Sequence, residues 1–290
     1  MDFVKHICLV SEYKDVIEKN REHFEKLESI CLETGEKVEG NCFYEHLNIK
    51  SRISELIFKQ CNHYTLGSMS KSIMEIGFNA GHSSLLYLIS NPSCNVTIFD
   101  ICEHKYTLPC FEYLQSVFPG RLEIYPGDST ITVPEYHNKH PDKRFDLIHI
   151  DGCHLANIAD IDFHNAMKMA SDILIWDDTQ DHALNTLFNN YIHDGLVYEV
   201  KLYKTYIYEH RLCRINPLLN KKYAWEQSTI MFKSNGIMDA FGFGNYNFVD
   251  KHVVICNFGG KEHILKFNDK FSAFSAIRSD DFLVINGNQC

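Results

Sequence analysis

In the stretch "FDLIHIDGCHLANIADIDFHNAMKMASDILIWDD", residues 145–178, one apolar run of strand length ends on Asp151 and the next ends on the pair Asp177 and Asp178. If those strands are neighbours in a sheet, three carboxylates meet at its carboxyl edge, where open α/β sheets hold their ligands. Three unpaired carboxylates in one cleft repel one another, and a divalent cation resolves the conflict. Hard oxygen donors with no cysteine among them favour Mg²⁺ or Mn²⁺ over zinc, with water and substrate oxygens filling the remaining positions. One acid of the pair 177/178 could instead cap the helix that follows.

Upstream, "IMEIGFNAGHSSLLYL", residues 73–88, reads as a strand, a tight loop and the first turns of a helix. Its glycines, Gly77 and Gly81, let the backbone approach a ligand closely, and Glu75 at the strand end can face a ligand cation as well as shape the loop. The next strand, "NVTIFD", ends on Asp100, where a doubly wound fold hydrogen-bonds a ribose diol, so the ligand expected is of adenosine type. The dinucleotide fingerprint G-x-G-x-x-G is absent, and a pyrophosphate is not demanded.

These residues need a frame. Between about 71 and 193, strand-length apolar runs alternate with helical patterns, which calls for a mainly parallel sheet covered on both faces. The runs "LVYEVKLY" and "TYIYEHRLCRI" follow with a short connection and pair best as an antiparallel hairpin at the sheet edge. Residues from about 11 to 35 have apolar positions at helical spacing and end in Gly35, an N-terminal helix. After Pro217, short β-type runs such as "STIMF", "HVVICNF", "HILKF" and "FLVIN" are separated by Gly, Asn and Asp with no helical period. The organisation expected is an N-terminal helical segment over 1–44, a principal α/β domain over 45–216 and a small β-rich domain over 217–290. The aromatics of "FGFGNYNF" are expected to fill the core of that last unit, since a β unit of about 70 residues needs most of its aromatics for burial.

A chain of 290 residues, 45% hydrophobic and 23% charged, has the composition of a globular protein with a sizeable core. Its formal charge of −10, with no basic stripe, argues against a nucleic-acid partner. No segment approaches the roughly 20 apolar residues of a membrane span, and the N-terminal apolar run is too short for a signal peptide, so a cytoplasmic location is expected. The 11 cysteines are scattered singly with no C-x-x-C pair, which disfavours a disulfide framework and a thiolate zinc site. Most are expected to be buried thiols.

Glu75, Gly77, Gly81, Asp100, "GDS" at 127–129, "IDG" at 150–152 and "DD" at 177–178 stand in an order and spacing that resemble the class I S-adenosylmethionine-dependent methyltransferases. The resemblance is closest to the metal-dependent O-methyltransferases of catechol, caffeoyl-coenzyme A and antibiotic sugars. It covers about residues 45 to 216, and each motif is weak alone. It implies a doubly wound, seven-stranded, Rossmann-like sheet. It further implies that Glu75, Gly77, Asn79, Gly81 and Ser83 wrap the methionine part of the cofactor, that Asp100 takes the ribose hydroxyls, and that Asp128 and Ser129 lie near the adenine.

In the resembling enzymes, the position three residues beyond the first metal-site acid carries the general base, a lysine in some members and a histidine in some sugar-modifying ones. Here it is His154. An imidazole with its usual pKa of about 6.5 accepts a proton at neutral pH without the burial a lysine would need. His164, with Asp160 and Lys168, lies opposite an apolar helix face of Ala159, Phe163, Ala166, Met167 and Ala170 and belongs to a solvated surface. His149 reads as a satisfied core or ligand-edge residue more than as a metal ligand, a role that stays open but is not needed. The function expected is a Mg²⁺- or Mn²⁺-assisted O-methyltransferase, its acceptor a small molecule, a sugar or glycoconjugate hydroxyl ahead of a catechol, in a chain that could form a homo-oligomer. The rivals are a non-catalytic binding protein on the same fold and a nucleotide-linked oxidoreductase, the latter weakened by the missing fingerprint.

Overall fold

The structure, a computed structural model, describes residues 7–39, 42–45, 48–205, 207–240 and 242–290. The N-terminal helical stretch is two helices, α1 (Val10–Lys19) and α2 (Arg21–Thr34), broken at Asn20, and α2 ends on Gly35 in the left-handed conformation. A short ribbon, β1 (Tyr44–Glu45) and β2 (Asn48–Arg52), precedes α3 (Ile57–Met69). The alternating region then runs β3 (Ser72–Ile76), α4 (His82–Ser90), β4 (Asn95–Asp100), α5 (Thr107–Val117), β5 (Leu122–Pro126), α6 (Ser129–Lys139), β6 (Phe145–Ile150), α7 (Ala156–Met167), β7 (Ala170–Trp176) and α8 (His182–His193). Two further strands, β8 (Val197–Val200) and β9 (Arg211–Ile215), complete a seven-stranded sheet of order β5-β4-β3-β6-β7-β9-β8.

The pairs β3·β4, β4·β5, β3·β6 and β6·β7 are all parallel. Residues Ile73, Met74, Leu147, Ile148, Leu174 and Ile175 are all but fully buried, as strands sandwiched between helical layers require. The order steps outward from β3 through β4 to β5 and then resumes on the other side at β6. Right-handed crossovers therefore put α4 and α5 on one face and α6 and α7 on the other, in keeping with the packing of α3 on α4, α2 on α5 and α6 on α7. The crevice at the carboxyl ends of β3 and β6 is the switch point of such a sheet. Gly77 and Asp151 are the residues that emerge there.

The edge departs from the hairpin expected from sequence. β8 and β9 are neighbours, but "TYIYEH" is not strand in its described residues, and β9 starts only at Arg211. The β-prone stretch spends its backbone on single tertiary bonds instead. The Tyr203 amide donates to Asn62 Oδ1 (3.0 Å), the Glu209 carbonyl accepts from the Thr179 amide (2.8 Å), and the His210 amide donates to Thr205 Oγ1 (3.3 Å).

Two compact units divide the chain, one running through Leu187 with Val200–Cys213 added, the other made of Phe188–Glu199 and Arg214–Cys290. The second contains eight consecutive antiparallel strands: β10 (Lys222–Trp225), β11 (Ser228–Phe232), β12 (Ile237–Asp239), β13 (Phe243–Asp250), β14 (Val253–Phe258), β15 (Lys261–Phe267), β16 (Ala273–Arg278) and β17 (Val284–Asn288). Each pairs with its successor, and a bridge between Tyr223 and Gln289 joins the first strand to the end of the last, closing a barrel. Alternation decides which side chains fill it. Along β15, His263, Leu265 and Phe267 are buried while Glu262, Ile264 and Lys266 face outward. Tyr223, Trp225, Phe232, Tyr246, Phe267 and Phe274 join this core, so most of its aromatics do fill the interior, whereas Phe243 is 86% exposed.

All eleven cysteines are free thiols and eight are buried. Among the described residues no helix is long and apolar enough to cross a membrane.

Candidate functional site

The loop after β3 is shaped from within. At Gly77, φ is +92° and an added Cβ would stand 2.0 Å from the Asp151 carbonyl oxygen, so only glycine lets this loop pass the end of β6. Asp100, at the end of β4, accepts from the amides of Phe78 (2.7 Å) and Asn79 (2.9 Å) through Oδ2 and from the Cys102 amide (2.7 Å) through Oδ1. The acid expected at the ribose thus also fastens the glycine loop. Glu75 is fully buried; its carboxylate accepts from the hydroxyls of Ser83 and Ser84 at the start of α4 and lies 3.0 Å from His149 Nδ1. These contacts let Glu75 shape the loop. Asn79, held in the left-handed region (φ 52°), donates its side-chain amide to the Glu39 carbonyl. Asp128 is exposed and caps α6, accepting from the Thr130 amide (2.8 Å) and hydroxyl (2.7 Å). Ser129 is the first residue of that helix.

Because β6 and β7 are paired, their terminal acids do meet. The structure brings Asp151, His154 and Asp178 together, each offering one ligand atom, all within 4.8 Å of one another. His154 Nε2 is 2.7 Å from Asp178 Oδ2. That bond leads the causes lifting the imidazole to about 9, so in this state His154 carries its proton at neutral pH. Asp178 sits in the left-handed region (φ 54°), a conformation aspartate tolerates better than most, and its own amide donates to Asp177 Oδ1 (2.8 Å). Burial and the neighbouring Asp177 raise the Asp151 carboxyl well above its usual range.

Asp177 faces elsewhere. Its buried carboxylate receives Lys59 Nζ at 2.7 Å on Oδ1 and stands 3.3 Å from His149 Nε2 through Oδ2. Burial opposes its ionisation, but the Lys59 ammonium and His149 outweigh burial and hold it well below the carboxylate range. His149 is likewise buried; its bonds to Asp177 and Glu75 overcome desolvation and lift it to about 10. As a satisfied core histidine it agrees with its reading from sequence. His164 is exposed, 3.4 Å from Asp160 on the outer side of α7.

Lys59, His63, Tyr87, His210 and Asp162 were not singled out from sequence. Lys59 and His63 lie one turn apart on α3, a helix buried on nearly every side. The signal available was a lysine and a histidine at i and i+4 inside a helix otherwise poor in charge, one face turned toward the strand ends. His63 Nδ1 is 2.7 Å from the Tyr87 hydroxyl, and His210 Nε2 is 2.9 Å from Asn62 Nδ2. Burial and nearby positive charge keep His63 neutral, its pKa well below the usual value, and burial presses His210 down to about 3. On α7, burial lifts the Asp162 carboxyl to about 6, with the Ser129 hydroxyl pulling against it.

One polar cleft gathers part of this set. Gly77, Phe78, Asn79, Ala80 and Ser83 of the glycine loop line it together with Asp151 and Asp177, and Lys59, His63 and His149 belong to the same lining.

No protein-family model matches the sequence, and neither does any curated protein sequence. Solved structures do resemble the chain. The O-methyltransferase from Bacillus cereus in complex with S-adenosylhomocysteine superposes with a TM-score of 0.50 at 15% identity over 67% of this chain and 90% of that one. CalS11, a TDP-rhamnose 3'-O-methyltransferase of calicheamicin biosynthesis, gives 0.48 at 16% identity over 56% and 80%. TomG from Streptomyces achromogenes, an O-methyltransferase of tomaymycin synthesis, gives 0.42 at 14% identity over 53% and 79%. The likeness is one of fold: the chain shares with the Bacillus cereus enzyme a mostly parallel sheet covered by helices.

Proposed function

We propose that the protein is an S-adenosylmethionine-dependent, divalent-metal-assisted O-methyltransferase acting on a sugar hydroxyl that has a second hydroxyl beside it. The observation that carries this reading is that the glycine loop lines one cleft together with Asp151 and Asp177, and that Asp151 is clustered with His154 and Asp178. The loop suits the cofactor because Gly77 leaves backbone, and no side chain, beside the Asp151 carbonyl, and because Asp100 holds two consecutive loop amides in place. Asp128 and Ser129, at the start of α6, are assigned to the adenine end.

The metal expected from sequence at Asp151, Asp177 and Asp178 is assigned here to the carboxylates of Asp151 and Asp178, with Asp177 backing Asp178 through its amide. Oxygen donors of this kind suit Mg²⁺ or Mn²⁺. Bound there, such an ion would lower the pKa of an acceptor hydroxyl and orient a neighbouring one. Neutralising Asp178 would weaken the bond that keeps His154 protonated, freeing Nε2 to take the proton of the reacting hydroxyl. An alkyl hydroxyl is less acidic than a phenol and depends more on such a base, which is why the sugar reading is preferred to the catechol one.

Labelled S-adenosylmethionine, Mg²⁺ and a panel of sugars, sugar nucleotides and catechols form the direct test, read by mass spectrometry. Transfer should stop in excess chelator and return with Mg²⁺ or Mn²⁺, and His154→Ala should cost about 10²–10⁴-fold in turnover. Full turnover in chelator removes the metal, and catechol turnover without sugar turnover removes the acceptor class. In the metal-free protein, NMR should show His154 titrating near 9. Asp178→Asn removes the charge that favours the imidazolium, so the midpoint should fall toward the ordinary value of about 6.5.

A further inference from the structure

Beneath the carboxylates of the cleft, three inward-facing atoms converge from three elements. His63 of α3, His149 of β6 and Asp177 at the end of β7 each offer one ligand atom, all within 4.8 Å of one another, and all three residues are buried. The His149 and Asp177 atoms are 3.3 Å apart, the spacing of about 3.3 Å that adjacent ligands have around a tetrahedral ion with bonds near 2.0 Å. His63 Nε2 is fully buried with no hydrogen-bond partner. Buried polar nitrogens are rarely left so, and an orphan of this kind asks for an ion or a water.

The outer atoms of the same residues are already committed. His63 Nδ1 is tied to the Tyr87 hydroxyl at 2.7 Å, His149 Nδ1 to Glu75 at 3.0 Å, and Asp177 Oδ1 to Lys59 at 2.7 Å and the Asp178 amide at 2.8 Å. A carboxylate behind one imidazole and a hydroxyl behind the other fix ring orientation and tautomer, as outer partners do in metal centres. Lys59 sits on the far oxygen of Asp177 and leaves Oδ2 to the interior.

We propose that His63, His149 and Asp177 form a second divalent-cation site in the floor of the cleft, distinct from the Asp151/Asp178 site and suited to a borderline ion of the Zn²⁺, Co²⁺ or Fe²⁺ kind. Two imidazoles and one carboxylate select such ions over Mg²⁺, which prefers oxygen alone. Asp151, whose Oδ2 is 3.9 Å from His149 Nε2, and Cys42, in the same lining, are at hand for a fourth position. The ion would replace the proton that His149 shares with Asp177 and pin α3 to the ends of β6 and β7. Its role is to position these elements rather than to react.

The test uses the full chain, stripped of metal and titrated with Co²⁺ in excess Mg²⁺, with visible absorption reporting nitrogen ligation and elemental analysis reporting stoichiometry. One Co²⁺ per chain should be held in the wild type and in Asp178→Asn, and lost in His63→Gln. Tyr87→Phe, which keeps all three ligands, should weaken Co²⁺ by about 10–100-fold. The proposal is overturned if His63→Gln binds Co²⁺ as the wild type does, or if the wild type shows no nitrogen-ligated Co²⁺. It is also overturned if Asp178→Asn alone abolishes binding, which would assign the ion to the outer acids. Should His63→Gln not fold, an unchanged Co²⁺ affinity in Tyr87→Phe overturns it as well.

Discussion

The larger unit and the barrel bury very different things. Under the cleft, Lys59, Asp177, His149 and Glu75 are out of solvent and joined by hydrogen bonds in that order, with His63 and His210 buried beside them. Inside the barrel strands, His263 is the one buried polar side chain among the described residues, and it lies flat on Phe258 with ring centroids 4.2 Å apart. An apolar core needs no partner for its groups. A buried charge costs several kcal/mol unless paired, so a unit that buries these ionisable groups has spent stability on placing them. The lesson is that the first interior is arranged for chemistry and the second for holding a shape.

The comparison breaks first at Lys59. Lys59→Met leaves the Asp177 carboxylate buried without its cation, and urea denaturation followed on the larger unit should show a loss of about 3–5 kcal/mol. A neutral outcome would mean that Asp177 takes up a proton or that His149 alone satisfies it. Leu265→Ala in the barrel should cost about 3 kcal/mol through a cavity and leave S-adenosylhomocysteine affinity unchanged by calorimetry. A weakened affinity would show that the barrel is not an independent interior. The smallest effect is expected at the surface: Asp128→Ala removes the cap of α6 and should lower stability less than either core change. If that variant also loses cofactor affinity, Asp128 has the adenine role assigned to it.

The acids were legible in sequence because each terminates a strand, and strand ends are the easiest points to locate in an alternating α/β pattern. Once β6 and β7 pair, Asp151 and Asp178 must come close. The underside of the cleft was not legible. Lys59 and Asp177 are 118 residues apart, and the one local cue in "FKQCNHY", a lysine and a histidine one turn apart, names no partner for either. The run "TYIYEH" misled for the opposite reason: its β-prone residues are used one at a time against other elements, so propensity was high where no described residue is strand. In the barrel, short β-type runs punctuated by Gly, Asn and Asp marked the strands β11, β14 and β15, but the pairing of the first strand with the last is a property of the whole sheet.

That closing pair also governs how the barrel assembles. Seven of its strand pairings link neighbours in the chain, each needing only a short loop to be closed. The bridge from Tyr223 to Gln289 spans the entire unit. With closure entropy growing by roughly 0.6 kcal/mol per doubling of loop length, a span about sixteen times longer than a hairpin turn costs about 2.4 kcal/mol more. The meander should therefore zip hairpin by hairpin into an open sheet with two bare edges, and the slow event is the single step in which those edges find each other. Until that step the sheet can recruit a strand from another molecule; after it, no edge is left to offer.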